Sequence, residues 1–422
     1  MRRLAAGVLV LALVIRVAVV IATPDYVMRA DSVDYERHAL AIEHGHYPGP
    51  GAGLRGATAY RPPLYPIFLG AVYRLAAGHD RTWARMAQAV VGTLTVALVG
   101  LIAWQLFGGR ASVAAMALGA VYPSMWMVGS ALLSEVLLAP LVLAAVAAAL
   151  RYRLREPRMR WAVLAGGLAG LAVLTRQNAA LMLLPLGLAL LPPRAARRTA
   201  RAWAPVAALL IAATITVAPW TVRNAFALHS FVPVSTQDGY TLAGTYNDVA
   251  RKQDRWPAAW VQWFVVPENL EILRRTPNTE VDRGDALRAH ALRYARDHPG
   301  YVAKVAWWNL RRDFDAAGRD WIRFDLGVTA TPKLVDVELV SFWAVALLAI
   351  GGAFTRAARR APYWVWLVPA SMAATVLIVG YLRFRAPIDP FLVLLAALGG
   401  LALFDAVHAR LRPRGATAPC AE

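Results

Sequence analysis

Residues 4–22 read LAAGVLVLALVIRVAVVIA. Only Arg16 is charged in this run, which is close to the roughly 20 apolar residues that carry a helix across about 30 Å of hydrocarbon. It follows Met1-Arg2-Arg3 and resembles a signal peptide, but it is long enough to span and shows no small-x-small cleavage signal. It therefore reads as a retained first membrane span. Further apolar runs fall at about 84–106, 111–128, 131–150, 161–174, 176–191, 202–222, 338–354, 362–380 and 386–407. The pattern predicts an all-α polytopic membrane protein of about ten transmembrane helices. The shorter run 64–78 reads as a helix lying at the interface.

Composition agrees with this reading. Of 422 residues, 58% are hydrophobic and 17% charged, against about 25% charge in a soluble domain. The mean hydropathy is +0.45. The formal charge of +19 argues for arginine anchors at membrane spans rather than for nucleic-acid binding, because the basic residues sit between apolar runs. The one cysteine, Cys420, excludes a disulfide within the chain and a Cys-based metal site.

Arginine placement sets an expected topology. Arg2 and Arg3, Arg110, the group Arg151 to Arg160, the group Arg194 to Arg201, Arg356 to Arg360, and Arg410 to Arg414 fall on alternate connections in one register. That places both termini in the cytoplasm and two long segments, about 23–83 and about 223–337, outside. The chain then divides into a transmembrane module 1–222 with its first outer loop 23–83, an extracytoplasmic subdomain 223–337, and C-terminal helices with a cytoplasmic tail, 338–422. In the first loop, Val33, Ala39, Leu40 and Ile42 predict a short amphipathic helix from Asp31, with Ser32 as its cap. Helices are expected around 281–297 and 299–312. Trp256, Trp260, Trp263, Trp307 and Trp308 suit an interfacial position.

Unusual polar residues gather at the span ends on the outer side: Asp31, Asp34, Arg61, Glu135, Arg176, Arg383 and Arg385. Ionisable groups at membrane depth are costly and usually line a cavity or pathway. Asp31 and Asp34 share a helical face. They read either as catalytic carboxylates that act as base or orient an acceptor, or as acids favoured by a helix N-terminus. Glu135 stands alone in Ala131-Leu132-Leu133-Ser134-Glu135-Val136, which argues for a cavity-lining role. Arg61, in Tyr60-Arg61-Pro62-Pro63, together with Arg176, Arg383 and Arg385, suits bidentate phosphate binding or snorkelling to lipid headgroups. His38, His44, His46 and His79 match no tight zinc spacing. The glycines of 49–53 are no P-loop, since no Gly-Lys-Ser/Thr follows.

Several pieces in order now resemble a known family. They are Asp31-Ser32 with Tyr35 after the first span, Arg61-Pro62-Pro63-Leu64-Tyr65-Pro66, Tyr122-Pro123, Ser134-Glu135, and Gly167 to Leu171 leading into Leu174-Thr175-Arg176. Pro219-Trp220-Thr221-Val222-Arg223-Asn224, Phe231 to Thr236, and Arg385-Ala386-Pro387 complete the set. The sequence resembles the GT-C glycosyltransferases that use polyprenyl-phosphate-linked sugars. The likeness is to the bacterial family-39-like branch, which also contains protein O-mannosyltransferases and lipid A aminoarabinose transferases.

The resemblance implies a hexosyl- or pentosyltransferase with an extracytoplasmic active site beneath the first outer loop. Its donor would be a polyprenyl-phosphate sugar, inverted in one displacement. Its acceptor would be a lipid, glycan or protein. Asp31 would be the loop acid, with Asp34 in reserve, and Glu135 the second acid. Arg61, Arg176, Arg383 and Arg385 would hold the lipid phosphate. A divalent metal ion is left open, since Asp-Ser stands where many relatives have paired Asp-Glu. Gln237 to Asn247 also departs from the Asn-rich segment common in relatives. A bacterial plasma membrane is the expected location, from the family, the charge pattern and a composition rich in Ala, Arg and Gly. The competing reading is a transporter or flippase of a lipid-linked or small solute. It calls for polar residues spread through the midplane toward both faces, whereas only Arg16 is charged mid-span. A membrane scaffold leaves Glu135 and the loop acids unexplained.

Overall fold

The computed structural model describes residues 2–28, 31–47, 56–76, 78, 80–326 and 332–411; His79, Cys420 and the glycines of 49–53 lie outside them. Among the described residues the chain is helical without strands. The N-terminal run forms α1 (Arg2–Ala22). The first loop contributes α2 (Asp31–Glu43) and α3 (Leu64–Leu75). The bundle continues through α4 (Arg81–Phe107), α5 (Gly109–Val121), α6 (Pro123–Ser130), α7 (Glu135–Leu154), α8 (Met159–Thr175), α9 (Leu183–Ala189) and α10 (Ala204–Leu228). The segment expected from the arginine pattern to be the second outer one holds α11 (Gln237–Thr245), α12 (Asp248–Arg251), α13 (Pro267–Arg275), α14 (Glu280–Asp297), α15 (Pro299–Asp313) and α16 (Arg319–Leu326). The chain then returns to the bundle in α17 (Pro332–Ala353), α18 (Arg356–Arg360), α19 (Tyr363–Val376) and α20 (Asp389–Leu411).

Each of the ten apolar runs is helical. Six described helices are long and apolar enough to cross a membrane, or seven if the bent pair α5–α6 is counted as one span. The bend of 48° falls at Tyr122-Pro123. Proline clashes with a helical residue before it, and Tyr122 is extended while Pro123 opens the next helix. Met159–Thr175, Gln177–Ala189 and Tyr363–Val376 are apolar but shorter; at 1.5 Å per residue the 17 residues of α8 rise about 25 Å. The run 64–78 is the helix α3.

Lipid cannot drive helices together as water does, so close backbone approach matters. Gly166 and Gly170 bring α8 against α10: a methyl group at Gly166 would lie 2.1 Å from the Leu209 carbonyl oxygen. Gly352 and Gly399 do the same for α17 and α20. The buried interior is built from small and branched residues such as Val99, Ala145, Ala169, Leu186 and Val365. Val10, Val14, Ile211, Ile215, Leu347 and Leu403 stay exposed on the long helices, a surface suited to lipid.

The helix α2 buries Ala39 and partly buries Leu40 and Ile42, as its apolar pattern predicts, but its inward face takes in polar side chains and leaves out Val33. Val33 is 51% exposed, whereas Ser32, Tyr35, Glu36, His38 and Ala39 are buried. Polar partners explain this. Tyr35 donates to the Ser134 hydroxyl at 3.0 Å, and Arg81 donates to both carboxylate oxygens of Glu36. Ser32 lies within the helix rather than at its cap, 3.2 Å from the Tyr26 hydroxyl, which donates to it.

Candidate active site

A cavity of about 1250 Å³ opens where α1, α8 and α19 end and α7 begins. Its walls come from α2, the segment 60–62, the α8–α9 break and the segment 381–384. The second outer segment closes over it with Tyr240, Trp260, Trp263 and Phe324. Local chain breaks place the charged side chains. Helix α8 stops at Thr175, and Arg176 is extended (φ −149°, ψ 122°) before a 3₁₀ turn begins, so its guanidinium leaves the helix axis and enters the cavity.

Six of the seven residues singled out from sequence meet here. Arg61 donates from its Nε to Asp34 at 2.6 Å and from Nη2 to Asp31 at 2.6 Å. Arg383 holds the other Asp31 oxygen at 2.7 Å. Arg176 donates to Glu135 at 2.6 Å, and the Arg383 Nε lies 3.9 Å from the same carboxylate. Three acids and three arginines thus alternate in one lattice. Burial alone pushes the Asp31 and Asp34 carboxyls up, but Arg61, joined at Asp31 by Arg383, holds both below the usual carboxylate range. Aromatic faces support the cations: Tyr35 and Tyr60 under Arg61, and Phe384 under Arg176 at 4.4 Å.

Arg385 stands apart. In the 3₁₀ turn Leu382–Arg385, three residues complete one revolution, so Arg383 and Arg385 face different sides. Arg385 is fully buried among Asp315, Glu338 and Asp389 at 2.8–3.1 Å and also donates to the Asp313 carbonyl. It does not line the cavity. Its carboxylates fix the second outer segment onto α17 and α20, and they occupy the donors that a lipid phosphate would need.

Three cavity acids escaped the sequence reading: Asp238, which is paired with Arg288, Glu280 and Asp325. Glu280, in the first turn of α14, accepts from Thr58, from the Ala59 amide and from Thr236 at 2.5–2.9 Å, tying the first loop to the second outer segment. Its sequence signal was only that of an acid at a helix start. Asp325, in the last turn of α16, accepts from the Arg383 amide at 3.3 Å. Burial pushes its carboxyl up to about 6, against the pull of Arg383. Among the described residues no group of three His, Cys, Asp or Glu is placed to hold a metal ion.

Comparison with known proteins agrees with this architecture. Residues 60–222, less than half of the chain, match the model of the dolichyl-phosphate-mannose-protein mannosyltransferase family. No curated protein matches the chain in sequence. The apo oligosaccharyltransferase of Archaeoglobus fulgidus is similar over 96% of this chain and 51% of its own, with a TM-score of 0.56 and 14% identity. The same organism's AglB, in complex with an inhibitory peptide and a dolichol-phosphate, is similar over 98% and 52%, with a TM-score of 0.55 and 15% identity. ArnT from Cupriavidus metallidurans bound to undecaprenyl phosphate covers 97% and 81%, with a TM-score of 0.46 and 16% identity. The chain spans about half the length of the oligosaccharyltransferases. The likeness to the two Archaeoglobus structures is one of fold, that of the GT-C class of polytopic membrane proteins, and the resemblance read from the sequence reappears as a family match across the segment from Tyr60 to Val222.

Proposed function

We propose that the protein is a glycosyltransferase that moves a sugar from a polyprenyl-phosphate donor to an extracytoplasmic acceptor, with inversion. The observation that carries this reading is the lattice in which Asp31, Asp34, Arg61, Arg176 and Arg383 line one large cavity and Glu135 braces Arg176 from behind its wall. Each guanidinium has five donors, and Arg176 spends one on Glu135. Nitrogens of Arg176 and Arg383 therefore remain for a phosphate without unpairing the acids. A departing lipid phosphate gains negative charge, which pre-placed guanidiniums stabilise most strongly in the transition state. Asp31 and Asp34, held ionised, orient the acceptor. Glu135 fixes Arg176 and Arg383.

The matched family's description supports a polyprenyl-type phosphate donor, and AglB has been solved with dolichol-phosphate and a peptide. A lipid, glycan or protein acceptor enters through the cleft between the two outer segments. The division into 1–222, 223–337 and 338–422 follows the same reading. Cytoplasmic termini and an extracytoplasmic cavity follow from the arginines at the opposite helix ends. A plasma-membrane location is part of the proposal. The Archaeoglobus enzyme has also been crystallised with Zn and sulfate. Here Asp31, Asp34 and Glu135 are each engaged by guanidinium at 2.6–2.7 Å, a donor set that does not fit a divalent ion. A transporter draws no support from charges gathered at one end.

The test is binding. Polyprenyl phosphate should raise the melting temperature of the purified wild type, while the phosphate-free alcohol should not. Arg383→Gln should lose the effect. Equal shifts with alcohol and phosphate would overturn the assignment of the phosphate site.

A further inference from the structure

Among the described residues five carboxylates line the cavity and a sixth, Glu135, is buried behind its wall; all but Asp325 are bound by side-chain donors. Asp31 and Asp34 are clamped by Arg61, with Arg383 on the former and Arg37 on the latter. Glu135 pairs with Arg176. Asp238 accepts two bonds from Arg288 at 2.8 and 2.9 Å. Glu280 accepts three bonds that tie the loops together. A carboxylate held between guanidiniums at 2.6 Å is a weak base, because taking a proton forfeits those ion pairs. A displacement by a hydroxyl acceptor still has to place one proton.

We propose that Asp325 is the general base of the transfer, accepting the acceptor's hydroxyl proton. This rests on the glycosyltransferase reading above. Three features of position support it. Asp325 lines the cavity beside Arg383, and it has no side-chain ion pair within 4 Å among the described residues; its hydrogen bonds come from the backbone, from the Arg383 amide at 3.3 Å and from Leu382. It sits at the C-terminal end of α16, where the helix dipole favours protonation. The helix itself is anchored, since Ile322 packs on Val335 and Leu382 and Trp321 packs on Tyr381, so the carboxylate is held on a fixed element. The charged and titratable groups facing it are Arg383 and Tyr381 from the segment 381–385, Glu135 from α7 and Asp313 from α15. Burial among them lifts its carboxyl to about 6, within the range where a base is both ionised and effective near neutral pH.

The step balances within the proposed reaction. The acceptor oxygen bonds to the anomeric carbon and gives its proton to the Asp325 carboxylate. The bond from that carbon to the phosphate oxygen breaks, and its electron pair leaves with the lipid phosphate, which Arg176 and Arg383 hold. Asp325 then returns the proton to water.

The experiment is a pH profile of kcat/KM in proteoliposomes supplied with a polyprenyl-phosphate sugar that the wild type transfers, with polyprenyl-phosphate binding measured alongside. Wild-type kcat/KM should rise through about pH 6 and then level. Asp325→Asn should lose about 10²- to 10⁴-fold, the usual contribution of a general base. Its lipid-phosphate affinity should stay within a few fold, the limb near pH 6 should vanish, and added formate should restore part of the rate. A wild-type-like profile in Asp325→Asn overturns the assignment alone. So does parallel loss of lipid-phosphate binding, which would make Asp325 a positioning residue acting through Arg383. If the wild type transfers from no donor, the glycosyltransferase reading falls, and this assignment with it.

Discussion

Replacing Arg61 by methionine removes the shared clamp on Asp31 and Asp34. The guanidinium is 6% exposed and makes two charge-assisted bonds of 2.6 Å. Such bonds contribute about 1.5–3 kcal/mol each, and breaking a buried pair from one side costs about 3–5 kcal/mol. Two facts place this case at the lower end. The carboxylates are 22% and 24% exposed, and each keeps a second cation, Arg383 for Asp31 and Arg37 for Asp34. The expected loss is therefore about 3 kcal/mol. A double-mutant cycle with Asp31→Asn should return a coupling of about 1–2 kcal/mol, read from equilibrium unfolding in mixed micelles. Because Arg61 keeps both folded-state carboxyls below their unfolded value, this stabilisation is complete above about pH 4. It should fade as pH falls through the folded values, and the Arg61→Met curve should be flatter over that range. Additive single mutants, within about 0.5 kcal/mol, would refute the clamp.

The opposite sign is expected at Asp325. Its folded carboxyl is raised to about 6, so its cost to folding grows from about pH 4, the unfolded value, to about pH 6 and is constant above; Asp325→Asn should melt higher than the wild type at pH 8 and nearly equally at pH 4. Gly352→Leu should lose the folded state, since even a methyl group there would lie 1.8 Å from the Leu395 carbonyl oxygen, whereas Gly300→Ala, with open space around it, should be tolerated; thermal melts of the two variants check this. Glu280→Ala should free the first loop from the second outer segment by removing its bonds to Thr58, Ala59 and Thr236, seen as faster limited proteolysis near residue 58 with the bundle intact.

The spans were legible in the sequence because lipid imposes one requirement, an apolar helix of sufficient length, and residues 4–22 or 84–106 meet it without reference to the rest of the chain. The site was legible in part for a related reason. Glu135 or Arg176 at membrane depth is costly enough to stand out; Arg176 lines the cavity, and Glu135, expected to line it, is instead buried behind its wall and paired with Arg176. Side-chain direction was harder to read. Arg383 and Arg385 are two residues apart in the same motif, and only the 3₁₀ turn sends one to the cavity and the other into a buried acidic cluster. In α2, the apolar pattern favoured Val33, but the bonds of Tyr35 and Glu36 to distant partners decided which face is buried. Asp325 carried no local signal, since its surroundings depend on a backbone amide 58 residues away.

The most direct test of the central claim is sugar transfer itself. Membranes bearing the wild type, Asp31→Asn or Arg383→Gln would be offered a panel of radiolabelled polyprenyl-phosphate sugars, and label would be followed into acceptor and free lipid phosphate. Transfer by the wild type from one donor, with inverted anomeric configuration and sharp loss in both well-folded variants, is the predicted result. No transfer from any donor, with labelled lipid moved intact across the membrane instead, would contradict the account.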